Sequence, residues 1–325
     1  MYNRSLLAQY YGGKTKLSLA ARIVRDRKKW SLCRRNGKDR YSPTYTKWHL
    51  THPENAAPRV SSTSKYLPGG TNIRLCNEKK ASNADKPLYS GNPTGSSIKI
   101  ADNIETYVAE PQGNVHKDTA ILYLADVYSI WPNSKLMADQ YAANGYYTII
   151  PDLFNGDPVP QERPDGFDIM SWLTKGSDGN NPHTFQYVDP IVQKSIEFLQ
   201  SKGYKKIGAV GYCFGAKYVA RFLAEGKGID VGFVAHPSFV EEDELRGMKG
   251  PLSIAAAETD EIFPAEKRHL SEKILTEQKH TYQINLYSGV THGFAVRCDL
   301  SVPIQKFAKE QAFFQAVAWF DKWLL

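Results

Sequence analysis

Long apolar runs are missing from this 325-residue chain, and none approaches the 18 residues that a membrane-spanning helix needs, which argues against one. Cysteine is scarce. Cys33, Cys76, Cys213 and Cys298 lie far apart, with no Cys-x-x-Cys and no His cluster at metal-ligand spacing. A disulfide framework and a zinc site are therefore excluded as organising principles. Neither a metal nor a cofactor is expected, and a reducing compartment fits best. Acids are scarce only at one end: residues 1–50 carry 13 Lys/Arg against Asp26 and Asp39, a net +11 in a chain of net +7, so the remainder carries −4. No apolar core follows the first charges, which excludes a secretory signal.

The basicity thus belongs to a head. Residues 1–85 combine that charge with a Pro/Ser/Thr/Asn-rich stretch around Pro53, Pro58, Ser61, Ser62 and Pro68, and they read as disordered or loosely attached. Three readings stay open: a solvated extension or upstream sequence carried into the reading frame, an organelle-targeting segment, or a phosphate-seeking arm. The expected location is cytoplasmic, with mitochondrial as the alternative. Nucleic acid as a partner would rest on residues 1–50 alone.

The informative stretch lies later. Lys206-Ile207-Gly208-Ala209-Val210 leads into Gly211-Tyr212-Cys213-Phe214-Gly215, and a helix-compatible run follows through Ala224. Glycine, nucleophile, glycine at this spacing is the signature of a strand–turn–helix elbow, here with Cys at the centre. With 24 Gly and 4 Cys in 325 residues, the bare pattern arises by chance about 0.02 times. The elbow predicts a strained central residue whose flanking positions tolerate little more than hydrogen as a side chain. It also aims the N–H of Phe214 and the positive end of the next helix at the sulfur's surroundings. The plainer alternative is a buried cysteine in a tight turn.

The body, residues 86–325, alternates strands and helices. Glu105–Ala109 alternates like an edge strand. Thr119–Leu124 and Tyr147–Ile150 are continuous apolar runs of the kind covered on both faces. Asn133 opens a helix reaching about Ala143. Residues 156–186 form a Pro- and Gly-rich excursion. Val188, Ile191, Val192, Ser195 and Leu199 fall at helical spacing. Beyond the elbow come strands at Val231–Ala235, Leu252–Ala257 and Tyr282–Tyr287, with helices over Ala265–Glu277 and from Pro303. This is an α/β fold: a mostly parallel, doubly wound sheet with helices on both faces, whose active site belongs at the carboxyl ends of the strands.

A thiol needs a base, and the base an orienting carboxylate. Asp260 and His292 each follow a later strand, 47 and 32 residues apart from the preceding member, which leaves room for one αβ unit each time. Glu258 and Glu261 compete for the role of Asp260. His236 reads as pocket wall or a hydrogen-bonded core histidine, and His183, His269 and His280 as surface positions. The second oxyanion donor is expected from the loop after an early strand, at the N–H of Val127. Asp126 beside it is either a turn-forming residue or a group that touches Cys213 and holds the resting thiol neutral.

Three motifs together, Gly211-Tyr212-Cys213-Phe214-Gly215-Ala216-Lys217, Pro151-Asp152-Leu153-Phe154 and His292-Gly293-Phe294, resemble the dienelactone hydrolase family of the α/β-hydrolase fold. Asn92-Pro93-Thr94-Gly95, followed by Ile104–Ala109, resembles the opening segment of its fungal members. The likeness runs from about residue 88 to 325. It implies a Cys-His-Asp triad on Cys213, His292 and Asp260, with oxyanion donors at Phe214 and Val127. It also implies an acid near the resting thiol, where Asp126 stands one methylene shorter than the family's Glu. Arg297 is the nearest match to the Arg that grips a substrate carboxylate. The expected activity is hydrolysis of a small lactone or ester through an acyl-enzyme, by a monomer or dimer, as a carboxylic-ester hydrolase. The alternative is a non-catalytic ligand-binding or regulatory protein on the same fold.

Overall fold

A computed structural model describes residues 91–101 and 103–325; the expectations placed on residues 1–85 lie outside the described residues. The strands are β1 (Ser96–Ile100), β2 (Ile104–Ala109), β3 (Thr119–Leu124), β4 (Tyr147–Pro151), β5 (Lys206–Tyr212), β6 (Val231–Ala235), β7 (Leu252–Thr259) and β8 (Tyr282–Thr291). They form one sheet in the order β1-β2-β4-β3-β5-β6-β7-β8. From β4 to β8 every neighbouring pair is parallel, whereas β1 and β2 add an antiparallel margin. The helices are α1 (Pro132–Ala143), α2 (Ile169–Lys175), α3 (Phe185–Ser201), α4 (Gly215–Phe222), α5 (Glu242–Gly247), α6 (Ala265–Glu277) and α7 (Pro303–Trp323).

The apolar runs feed two cores, one on each face of the sheet. Along β3, Ala120, Leu122 and Leu124 face one way with Val188, Val192 and Ile196 of α3 and Val219 of α4. Ile121 and Tyr123 face the other way with Met137 and Tyr141 of α1 and Phe313 and Phe320 of α7. The period of two along a strand explains why these strands read as unbroken hydrophobic runs: both faces are covered. Each fully buried aliphatic side chain contributes roughly 1.5–3 kcal/mol.

Chain order turns at β3. The path leaves β3 for β4 on one side, then crosses back to β5 on the other, so a crevice opens at the carboxyl ends of β3 and β5. The elbow sits there.

Three details differ from the sequence reading. β2 is not the edge: β1 pairs with it in register Ser96 to Val108, and Lys99 and Ser97 of β1 face solvent. The excursion holds a helix, α2, started by the Asp168 side chain accepting from Met170 N at 2.9 Å. β8 runs on through Thr291, with an irregular register opposite Ala257–Thr259, so the loop bearing His292 begins directly at its end. The Asn92-Pro93-Thr94-Gly95 segment is stapled to the body. Thr94 N donates to Asp139 Oδ2 at 2.7 Å and Gly95 N to Tyr107 Oη at 2.7 Å, while Tyr107 Oη donates to Asp139 Oδ1 at 2.6 Å. Among the described residues, no helix is long and apolar enough to cross a membrane.

Candidate active site

β5 ends at Tyr212, and Cys213 turns the chain at φ +51°, a left-handed conformation that non-glycine residues rarely hold. The turn is possible because its flanks lack side chains. A Cβ on Gly215 would lie 2.0 Å from the Leu124 carbonyl oxygen, and one on Gly211 would lie 2.7 Å from Ala216 Cα. Phe214 takes helical angles and leads into α4. The elbow is pinned to β6 and the loop after it, because Cys213 N donates to Ala235 O at 3.1 Å and Ser238 N donates to Cys213 O at 2.9 Å. Phe214 is buried against Phe154 at 5.0 Å between ring centroids, which ties the Pro151-Asp152-Leu153-Phe154 motif to the elbow. Asp152 shapes that motif: Ser129 Oγ donates to its Oδ1 at 2.8 Å and Phe154 N at 3.1 Å. Asp152 therefore joins the loop after β4 to the loop after β3.

The other predicted partners converge on the sulfur. Asp260 is fixed by N–H groups of Ile262 and Phe263, both at 2.9 Å from Oδ1, and it meets His292 Nδ1 at 2.9 Å through Oδ2. Glu258 is engaged elsewhere, accepting from Gly289 N at 2.8 Å, and Glu261 is exposed. With Nδ1 held by the carboxylate, His292 turns Nε2 toward the elbow. Burial alone would lower the His292 pKa, but the Asp260 hydrogen bond, Cys213 and the Asp260 charge raise it to about 9. Burial pushes the Cys213 thiol up, yet the neighbouring His292 imidazole, its charge and the Arg297 charge outweigh it, and the thiol lies below its ordinary range. Asp260 is displaced the other way: burial raises it, and the His292 hydrogen bond, the His292 charge and the two backbone donors bring it below the usual carboxylate range.

Asp126 does not touch the thiol, contrary to one of its two sequence readings. Its carboxylate forms an ion pair with Arg297 Nη1 and accepts from Tyr128 N at 3.0 Å. A fully buried carboxylate needs a whole counter-charge, which the guanidinium supplies and a thiol does not. Burial still raises the Asp126 pKa against the pull of Arg297. The guanidinium also lies over the Tyr128 ring at 5.0 Å. Asp126 thus acts on Cys213 at a distance, its charge opposing the thiolate.

Val127 and Phe214 flank the crevice on the β3 and β5 sides, and outside helices and strands neither N–H is used by an acceptor among the described residues. Two histidines fall differently from expectation. His183 is buried, not exposed, because Nε2 meets Asp157 Oδ2 at 2.9 Å and the ring packs on Trp172 and Phe154. His236 is a core residue, but among the described residues neither ring nitrogen has a hydrogen-bond partner; the ring stands edge-on to His292 at 5.0 Å. The sequence reading also passed over Ser238, whose hydroxyl lies 3.3 Å from Cys213 Sγ and 3.5 Å from His292 Nε2. Its only advance signal was a polar residue just past the carboxyl end of β6. Among the described residues, no group of three or more His, Cys, Asp or Glu is placed to hold a metal ion.

This arrangement invites comparison with known proteins. The profile of the dienelactone hydrolase family matches residues 104–324. The hydrolase pyvD of Aspergillus violaceofuscus is 48% identical over 240 residues, covering 73% of this chain and 94% of that protein. Dienlactone hydrolase 1 of Gibberella moniliformis is 36% identical over 243 residues, 73% of this chain and 91% of its own length. Among solved structures, the putative dienelactone hydrolase from Klebsiella pneumoniae superposes with a TM-score of 0.58 over 70% of this chain and 98% of that one, at 15% identity. That last likeness concerns the fold: a mostly parallel sheet of the α/β-hydrolase type. With family profile, fungal relatives and fold in agreement, the chain belongs to the dienelactone hydrolase family and is a hydrolase on the α/β-hydrolase fold.

Proposed function

We propose that this hydrolase cleaves a lactone or small carboxylic ester through a covalent intermediate on Cys213. The observation that carries the reading is the Asp260–His292 pair at 2.9 Å, which directs the free imidazole nitrogen toward a thiol of lowered pKa at a strained elbow. The thiolate adds to the carbonyl carbon, and the carbonyl electrons move onto oxygen. The N–H groups of Phe214 and Val127 stabilise that oxyanion, each such donor being worth roughly 3 kcal/mol. Collapse breaks the C–O bond. The departing oxygen takes the Nε2 proton of His292, so a lactone opens while staying attached through its acyl carbon. Water, deprotonated by His292, then attacks the thioester and releases the acid and the Cys213 thiolate.

A thiolate leaves more readily than an alkoxide, so the acyl-enzyme partitions forward best when the substrate's own leaving group is stabilised, as in an enol ester or enol lactone. Arg297 keeps guanidinium N–H groups beyond its Asp126 contact and is partly exposed, which suits an anionic substituent on the substrate. The test is a panel of lactones and esters assayed with the wild type and Cys213→Ala. Turnover should fall by about a thousandfold or more in the variant. Retained turnover would overturn the mechanism, and an inert panel with the wild type would favour a ligand-binding role.

A further inference from the structure

The hydroxyl of Ser238 occupies a position that the mechanism above does not use. Ser238 is 1% exposed and sits in the loop after β6. Its Oγ lies 3.3 Å from Cys213 Sγ and 3.5 Å from His292 Nε2, so it is within hydrogen-bond reach of both groups that must exchange a proton. Its backbone is not free to drift, since Ser238 N donates to Cys213 O at 2.9 Å. The next residue, Phe239, takes φ +59° and its carbonyl accepts from the buried Lys217 ammonium at 3.1 Å. Lys217 also reaches Glu244 at 2.7 Å and Glu241 at 3.2 Å, so α4, the loop and α5 are clamped together around this serine. A buried hydroxyl held this firmly against a reacting sulfur is costly to leave without a role in its hydrogen bonding.

We propose that Ser238 is a catalytic residue that carries the Cys213 proton to His292 and then holds the thiolate by a hydrogen bond. The inference rests on the reading of Cys213 as nucleophile and His292 as base. In the thiol form Sγ–H donates to Ser238 Oγ, and Ser238 O–H donates to His292 Nε2, while Nδ1–H donates to Asp260. Transfer breaks the S–H bond and forms an O–H bond as the original serine O–H breaks and an N–H bond forms on Nε2. Thiolate, neutral serine and imidazolium result, with no net gain or loss of protons. Afterwards Ser238 O–H donates to the sulfur anion, and its oxygen accepts from the imidazolium. The chain of donors reverses without any heavy atom moving.

The other charged or titratable groups facing the thiol are Arg297, which favours the thiolate, and Asp126, which opposes it. His236, edge-on to His292, is held neutral by burial. None of them offers the sulfur a hydrogen bond in this structure. Ser238 does.

The test is the rate of iodoacetamide labelling of the Cys213 peptide, followed across pH by mass spectrometry, on the full chain. Ser238→Ala should raise the labelling midpoint by about one pH unit, leaving about tenfold less thiolate below it. Ser238→Thr, which keeps a hydroxyl, should stay near the wild-type midpoint, whereas the isosteric Ser238→Val should follow Ser238→Ala. This pair makes the same comparison at equal volume should Ser238→Ala fold poorly. His292→Ala is measured beside them. If it shifts the midpoint while Ser238→Ala and Ser238→Val do not, the serine's role is overturned and the Cys–His reading survives. If His292→Ala leaves the midpoint in place, the Cys–His reading fails and the role of Ser238 falls with it.

Discussion

Gly215→Ala adds one methyl group where the structure has no place for it. The new Cβ would lie 2.0 Å from the Leu124 carbonyl oxygen, 2.5 Å from the Leu124 carbonyl carbon and 2.9 Å from Ala125 O. These are backbone atoms of β3 and its exit, so no rotamer change relieves them. Ordinary contact begins at 3.4 Å, so α4 and the end of β3 must part by about 1.4 Å. Overpacking of this kind costs about 1–3 kcal/mol, and a domain of this size then melts about 2–4 °C lower per kcal/mol. The effect on turnover should be much larger than that. Phe214 is the residue before the altered glycine, and Val127 lies three residues beyond Leu124, so the parting separates the two proposed oxyanion donors. A misplacement of about 1 Å costs on the order of a hundredfold in rate. The assay is kcat/KM on an activated ester together with a melting curve, with Gly203→Ala as control. Gly203 has φ +96° and open space around an added Cβ, so its variant should lose stability and keep its turnover. Wild-type kcat/KM in Gly215→Ala would refute the placement of the oxyanion site.

Asp260→Asn removes the strongest influence holding His292 at about 9, so the alkaline limb of kcat/KM, expected near pH 9 in the wild type, should move toward the ordinary histidine value of 6.5. Turnover should fall on the order of a hundredfold or more. The same shift has a stability sign: because the folded-state pKa lies above 6.5, its contribution is complete below that pH and is lost as pH rises through about 9. The melting difference between wild type and Asp260→Asn should therefore be larger at pH 6 than at pH 10. Arg297→Met strands the buried Asp126 carboxylate and should cost roughly 3–5 kcal/mol in urea unfolding, with Asp126→Asn in the same chain recovering part of it. Equal unfolding midpoints for Arg297→Met and the wild type would show that the pair contributes nothing.

The parts of the fold that were legible in the sequence are those set by local chemistry. β3 and β4 read as buried because both faces carry apolar side chains, and α6 has the bounds Ala265 and Glu277 that its sequence predicts. The elbow was legible because Gly211, Cys213 and Gly215 obey a steric rule within five residues. Short elements escaped. β1 shows only two isoleucines alternating with polar residues, and α5, six residues long, makes fewer than two turns. Tertiary partnerships escaped as well. His183 is buried because Asp157, 26 residues away, takes its ring nitrogen, and Asp126 finds Arg297 across 171 residues. Ser238 reaches Cys213 only because β6 lies beside β5 in the sheet, a neighbourhood that spacing along the chain does not encode.

The proposed mechanism places an acyl group on one sulfur during turnover. Mixing the protein with an activated ester and quenching within the first turnover should leave an added acyl mass on the Cys213 peptide and none on the Cys298 peptide. Product release with an unmodified Cys213 peptide at every quench time, and undiminished in Cys213→Ala, would contradict it.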